Sequence, residues 1–80
     1  MTTVRVRLFA ALREIAGAST VEAEGATVDE VVAALCERFG ESFADIARIG
    51  SIVVDGERVV GPMPLADGDE IALLPPVSGG

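Results

Sequence analysis

Apolar and polar positions along this chain alternate in some stretches with a period of two and in others with a helical period, and the switches between them mark out its elements. Thr3 to Phe9 reads as a strand: Val4, Val6 and Leu8 point one way, and Arg5, Arg7 and Phe9 the other. Phe9 thus falls on the polar face, either to fold over the strand end into the core or to belong to an exposed contact surface. Ala10 to Ala16 places Leu12, Ile15 and Ala16 at helical spacing for about two turns, with Gly17 as a stop. Ser19 to Glu24 alternates again. Thr27 and Glu30 then form a capping-box pair, and Val28, Val31, Val32, Leu35 and Phe39 recur at helical spacing up to Gly40. Residues 41–50 are expected to form one loose helical turn or a coil tucked under the sheet. Ser51 to Val54 and Glu57 to Val60 flank Asp55-Gly56, a favoured two-residue hairpin turn. Gly61, Pro62 and Pro64 break regular structure, and Asp67-Gly68 marks another turn. Asp69 to Leu74 is the last strand, with Ile71 and Leu73 on one face and Glu70, Ala72 and Leu74 on the other. Strands around one main helix indicate an α+β fold in a single domain over residues 1–80, the helix packed on one face of a mixed sheet.

After the last strand come Pro75, Pro76, Val77, Ser78, Gly79 and Gly80. The two prolines fix φ, remove two backbone donors and force an extended exit. Gly79 and Gly80 leave no side chain at the tip, so residues 74–80 are expected to form a flexible extended tail. Six residues at about 3.3 Å each reach about 20 Å, enough to enter another protein's active site. Chain ends are commonly frayed, but at a glycine frequency of about 7% a Gly-Gly end arises by chance in only roughly one chain in two hundred. The α-carboxylate of Gly80 is the candidate functional group.

Composition narrows what that group can do. Half of the 80 residues are apolar, and the formal charge is −7. All six basic residues are arginine, and three phenylalanines are the only aromatic residues. Such a chain has neither the positive field nor the stacking platforms of a nucleic-acid binder. A partner with a basic surface suits it better. No apolar run reaches the length of a membrane span, and Met1 to Leu8 alternates arginine with valine rather than forming a signal peptide. The single cysteine, Cys36, fits a reducing compartment, and the cytosol is the expected location. With no His, Lys, Tyr or Trp, the commonest general base and any lysine nucleophile are missing, so no catalytic residue and no metal site is assigned. Cys36 borders the apolar stripe of the main helix and reads as a small buried hydrophobe rather than a redox group.

Two segments carry a resemblance. Leu8-Phe9-Ala10-Ala11-Leu12-Arg13-Glu14-Ile15-Ala16-Gly17 resembles a Phe-Ala-x-x-Arg-Glu-x-x-Gly pattern. Leu65-Ala66-Asp67-Gly68-Asp69-Glu70-Ile71-Ala72-Leu73-Leu74-Pro75-Pro76-Val77-Ser78-Gly79-Gly80 resembles Leu-x-Asp-Gly-Asp-Glu-Val-Ala-x-x-Pro-Pro-Val-x-Gly-Gly. Both patterns are those of the ubiquitin-like sulfur carriers, in the branch of the molybdopterin synthase small subunits. Leu73 and Leu74 stand where that family also has aromatic residues.

The resemblance implies a β-grasp fold and a role in two stages. An ATP-dependent, ubiquitin-activating-type adenylating enzyme would convert the Gly80 carboxylate to an acyl-adenylate. Sulfur from a persulfide donor would then leave a thiocarboxylate. The large subunit of molybdopterin synthase, in a heterotetramer, would take that sulfur to cyclic pyranopterin monophosphate for the molybdenum cofactor. The chain itself would bind no cofactor and be no enzyme alone. Pro75, Pro76, Val77, Ser78 and Gly79 would thread into the partner's active site, and Phe9, Leu73 and Leu74 would form the partner interface. The alternatives are a carrier for thiamine thiazole, tRNA thiolation or cysteine synthesis, a modifier conjugated to target lysines, and an interaction module with an inert tail.

Overall fold

The computed structural model describes residues 2–59 and 63–76. The expected strand end at Val60, the breaks at Gly61 and Pro62, and the tail residues Val77, Ser78, Gly79 and Gly80 lie outside the described residues.

Eight elements follow one another: β1 (Thr3–Leu8), α1 (Ala10–Ala16), β2 (Thr20–Glu24), α2 (Val28–Phe39), α3 (Glu41–Ile49), β3 (Ser51–Val54), β4 (Glu57–Val59) and β5 (Glu70–Leu74). The sheet order is β2-β1-β5-β3-β4. β1 and β5 lie parallel at its centre, and the other pairs are antiparallel, giving the mixed sheet of a β-grasp fold. The alternation in the sequence is the two-sidedness of this sheet. Val4, Val6 and Leu8 from β1, Val21 and Ala23 from β2, and Ile71 and Leu73 from β5 are all buried on the helical side.

Local signals set the boundaries. The Thr27 hydroxyl oxygen accepts the Glu30 backbone N–H at 3.3 Å, as an N-cap should. The second half of the expected box differs: the Thr27 hydroxyl donates to the Glu30 carboxylate, and no bond from that carboxylate to the Thr27 backbone N–H is formed among the described residues. Gly17 closes α1 at φ 75°, donating its N–H to the Arg13 carbonyl at 2.9 Å. Asp55 and Gly56 turn the β3–β4 hairpin at φ 49° and 87°, the positive angles that an Asp-Gly pair accommodates.

The main correction concerns residues 41–50. Instead of a loose turn or coil they form α3, nine residues long, packed against α1 and α2. The sequence hid it for two reasons. Its N-cap is Gly40, which offers no side-chain acceptor, and Ile49 interrupts the apolar stripe because it faces outward, 68% exposed. Phe43 and Ala47, four residues apart, carry the buried face. The Phe43 ring is fully buried with its centroid 5.1 Å from that of Phe39, tying α3 to the end of α2. The helical layer is therefore α2 with the expected short α1 and the additional α3 beside it.

Phe43→Ala should cost about 3–5 kcal/mol, since it removes a buried ring from a core too small to close the gap. Ile49→Ala, on the exposed side of the same helix, should stay within about 0.5 kcal/mol of the parent. Urea unfolding followed by circular dichroism checks both, and similar costs for the two would show that α3 is oriented otherwise.

Candidate functional site

The site is built around the end of β5. The strand is held on both sides, by β1 through Leu8–Leu73 and by β3 through Ser51–Leu74. Leu74 forms the last pair; Pro75 is half-buried and Pro76 exposed. Prolines cannot donate to a ladder, so the sheet ends here by chemistry. Gly50 fits against the same point. A Cβ on it would overlap the Leu74 carbonyl oxygen and come within 3.3 Å of the Ile46 carbonyl oxygen.

Strand alternation puts Phe9 and Leu74 together on the sheet face turned away from the helices. Both are half-buried, at the same end of β1 and β5. Phe9 is extended (φ −128°, ψ 151°) and serves as the N-cap of α1. The chain then reverses through Ala10 at φ 50°, which turns the helix inward and keeps the ring outside the core. The Arg7 guanidinium stands 5.7 Å from the centre of that ring. Leu73 does not belong with them. It is 2% exposed and packs into the core, because one residue along a strand is one change of face. Of the three residues expected at an interface, Phe9 and Leu74 lie on the open face and Leu73 does not. Ala72 and Val53, paired across β5 and β3, extend the apolar strip on the open face. The expected hairpin register held the signal for Val53.

Charge is distributed unequally over the two sides. Register places Arg5, Arg7, Arg58, Glu22, Glu24 and Glu70 on the open face, three of each sign. Among them Arg7 and Glu70 approach to 3.9 Å, an exposed pair of little energetic weight. The formal −7 therefore lies on the helices, the turns and Glu57 of β4. Long-range attraction to a basic surface would act from that side, while the face around Phe9 and Leu74 is balanced.

The acids of the Asp67-Gly68-Asp69 motif are structural. Asp67 Oδ1 accepts the Thr3 N–H at 2.9 Å, the Gly68 N–H donates to the Thr3 carbonyl at 2.9 Å, and Asp69 Oδ2 accepts the Ala66 N–H at 2.8 Å. Together they anchor the turn before β5 to the start of β1. An open crevice between β2 and α2, bordered by Glu22, Glu24 and Arg38, sits at the Thr3 end of the sheet, opposite Leu74. Arg38 crosses it to donate to the Glu22 carbonyl at 3.0 Å. No helix among the described residues is long and apolar enough to cross a membrane.

Residues 6–80 match the model of the ThiS family. The chain is 38% identical to the molybdopterin synthase sulfur carrier subunit of Aedes aegypti, over 96% of this chain and 90% of that protein. Among solved structures it is similar to the small archaeal modifier protein 1 of Methanosarcina acetivorans, with a TM-score of 0.87 and 31% identity, covering 100% of this chain and 98% of that one. It is also similar to a chain from the complex of subunits 1 and 2 of the molybdopterin-converting factor of Helicobacter pylori 26695. There the TM-score is 0.75 and the identity 30%, over 99% of this chain and 100% of that one.

Cys36 is half-buried on α2 against the core, and burial raises its thiol pKa above the ordinary value, with Arg48 partly opposing. A raised pKa leaves less thiolate at any given pH, and the thiolate is the reactive form. Alkylation of Cys36 at neutral pH should therefore be slower than that of a cysteine in a short peptide, with the gap narrowing as pH rises. Intact mass against time measures this, and a rate equal to the peptide's would contradict the placement.

Proposed function

The chain belongs to the ThiS family of ubiquitin-like sulfur carriers, and from that premise we propose that Gly80 carries the sulfur as a C-terminal thiocarboxylate for molybdopterin synthesis. The observation that carries the reading is the end of β5. A central strand, paired with β1 as far as Leu73 and with β3 as far as Leu74, releases the chain through Pro75 and Pro76 beside the apolar strip of Phe9, Leu74, Ala72 and Val53.

A carboxylate is a poor electrophile. A Gly80 oxygen attacks the α-phosphorus of ATP on the adenylating enzyme and displaces pyrophosphate, giving an acyl-adenylate. The terminal sulfur of the donor's persulfide attacks the acyl carbon and expels AMP. A second thiol then cleaves the S–S bond, so the donor leaves as a disulfide and Gly80 keeps a thiocarboxylate. That group is ionised at neutral pH and is a competent nucleophile, on the logic that makes thiolates outrun thiols. On the large subunit its sulfur bonds to a carbon of cyclic pyranopterin monophosphate. Water then hydrolyses the acyl–sulfur bond and restores the carboxylate. Two sulfurs per pterin require two charged carriers, which suits a heterotetramer. The large-subunit partner is supported by the similarity to the molybdopterin-converting factor complex of Helicobacter pylori 26695. This chain activates nothing itself; it presents one group to two enzymes.

Each part of the tail has its own task. Gly79 and Gly80 keep the tip narrow, since any Cβ would widen it and restrict φ and ψ. Val77 and Ser78 extend the reach, and the prolines lower the entropy lost on threading. Phe9 and Leu74 supply apolar contact at the mouth of the partner's channel. A second reading, a modifier joined to target lysines, is favoured by the similarity to the small archaeal modifier protein 1 of Methanosarcina acetivorans. It uses the same acyl-adenylate with an amine in place of sulfur.

Incubation with the adenylating enzyme, ATP and a persulfide donor should shift the intact mass by one oxygen-to-sulfur exchange, localised to Gly80 by fragmentation. An unchanged mass would overturn the assignment, and accumulation on lysines of other proteins would establish the modifier. Deleting Gly80, or replacing Gly79 by a bulky residue, should abolish sulfur transfer and leave the melting temperature almost unchanged. A large loss of stability in either variant would show the tail to be packed.

Phe9→Ala and Leu74→Ala should each weaken binding to the large subunit by about 1–2 kcal/mol, roughly 5- to 30-fold in Kd, as contacts at the centre of an interface do. Titration calorimetry reads the change. Binding unaffected by both substitutions would place the docking surface elsewhere.

A further inference from the structure

Gly50 is the junction between α3 and β3, and nothing about its backbone angles demands glycine: φ −87° and ψ −167° suit any residue. What excludes a side chain is the neighbouring backbone. A Cβ at this position would overlap the Leu74 carbonyl oxygen, lie 3.2 Å from the Leu74 carbonyl carbon, and stand 3.3 Å from the Ile46 carbonyl oxygen. Peptide groups cannot swing aside as the end of a flexible side chain can. Leu74 is also the last residue of β5 with a ladder partner, and that partner is Ser51, next to Gly50 in sequence. The Gly50-Ser51 step therefore holds Leu74 twice, through the last rung of the sheet and through the close approach to its carbonyl. That carbonyl belongs to the peptide that leads into Pro75.

We propose that Gly50 is a positioning residue for the C-terminal arm: by admitting the Leu74 carbonyl where a Cβ would stand, it sets the direction in which Pro75 and Pro76 leave the sheet. The consequence is carried by the two prolines. Each ring locks φ near about −65°, so a tilt of the Leu74–Pro75 peptide passes through two residues with little loss. Over those two residues, about 7 Å, an angular error of about 10–20° at Leu74 moves the point from which the rest of the arm departs by about 1–2 Å. Adenylation and sulfur transfer both require the carboxyl group within reacting distance, and misplacement by about 1 Å can cost about 100-fold in rate. This role rests on the Gly80 reading above, and it concerns aim rather than affinity, since Gly50 is no part of the Phe9–Leu74 strip.

The test uses the full chain with its adenylating enzyme, ATP and a persulfide donor. Gly50→Ala should lower kcat for sulfur loading by about 10- to 100-fold while KM for the carrier changes less than about twofold. Softening the arm by Pro75→Ala with Pro76→Ala should slow the parent modestly but speed the Gly50→Ala variant, because a limp arm no longer transmits the wrong angle. A purely structural role predicts no such reversal of sign. Insertion of one alanine between Leu74 and Pro75 redirects the arm without touching Gly50 and without softening it, since a residue before proline is held extended, and should lower kcat similarly at an unchanged melting temperature. That variant decides the matter if Gly50→Ala fails to fold. An unchanged kcat in it or in a folded Gly50→Ala, or a loss that softening does not relieve, overturns the positioning role while leaving the Gly80 reading intact. A parent chain that takes up no sulfur overturns the Gly80 reading and the positioning role together.

Discussion

The parallel pairing of β1 with β5 at the centre of the sheet is the constraint on which the molecule depends. Val6 meets Ile71 and Leu8 meets Leu73, so residues near the two ends of the chain form its most enclosed layer. A parallel pair cannot be closed by a tight turn, and here everything between β1 and β5 serves as the connection. β2 covers one flank, the β3–β4 hairpin covers the other, and the three helices seal one face. β5 completes the sheet between β1 and β3 and is held from both sides. A strand anchored in this way can deliver a tail from a fixed point.

That anchoring also separates two jobs within five residues. Ile71 and Leu73 face the core, while Ala72 and Leu74 face outward. The same strand therefore stabilises the fold with one set of side chains and offers contact with the other. β1 repeats the division, with Val4, Val6 and Leu8 inside and Arg5, Arg7 and Phe9 outside. The open face can thus be apolar and charge-balanced near the exit, while the surplus acidity is shared between the helices and the turns, where it keeps copies of the chain apart without opposing contact at the strip.

Much of this was legible from the residues. Period-two alternation located β1, β2 and β5 and their buried sides, Thr27 and Gly40 bracketed α2, and Asp55-Gly56 announced its hairpin. Counting puts Leu74 on the open face and leaves Phe9 either there or folded over the strand end into the core; its half-buried place outside the core is what the structure adds. The misses have physical causes. α3 has a glycine where a capping side chain would give it away, and its last apolar residue points outward. Leu73 was assigned to the interface from its position in a motif, against the alternation that had already turned it inward. Gly50 gives no sign of its importance in the sequence, because what makes it obligatory is a carbonyl 24 residues further on. Local pattern reports local geometry, and the approach of α3 to the end of β5 is a tertiary fact.

Membership of a sulfur-carrier family and likeness to small archaeal modifiers are less opposed than they look. On the readings proposed above, both uses would need a free, narrow C-terminus, an adenylating partner and a face for docking, and would diverge only at the nucleophile that meets the acyl-adenylate. A persulfide sulfur gives a carrier, and a lysine amine gives a conjugate. The open face around Phe9 and Leu74 and the stiffness of Pro75 and Pro76 would serve either use, since both would act before that step. The composition does bear on the choice. With no lysine, the chain offers no side-chain amine to a second activated copy, so it cannot extend itself into lysine-linked polymers. On the function proposed above it would act as an adaptor, its one carboxyl group activated and discharged once in each cycle, with the acceptor supplied by the partner.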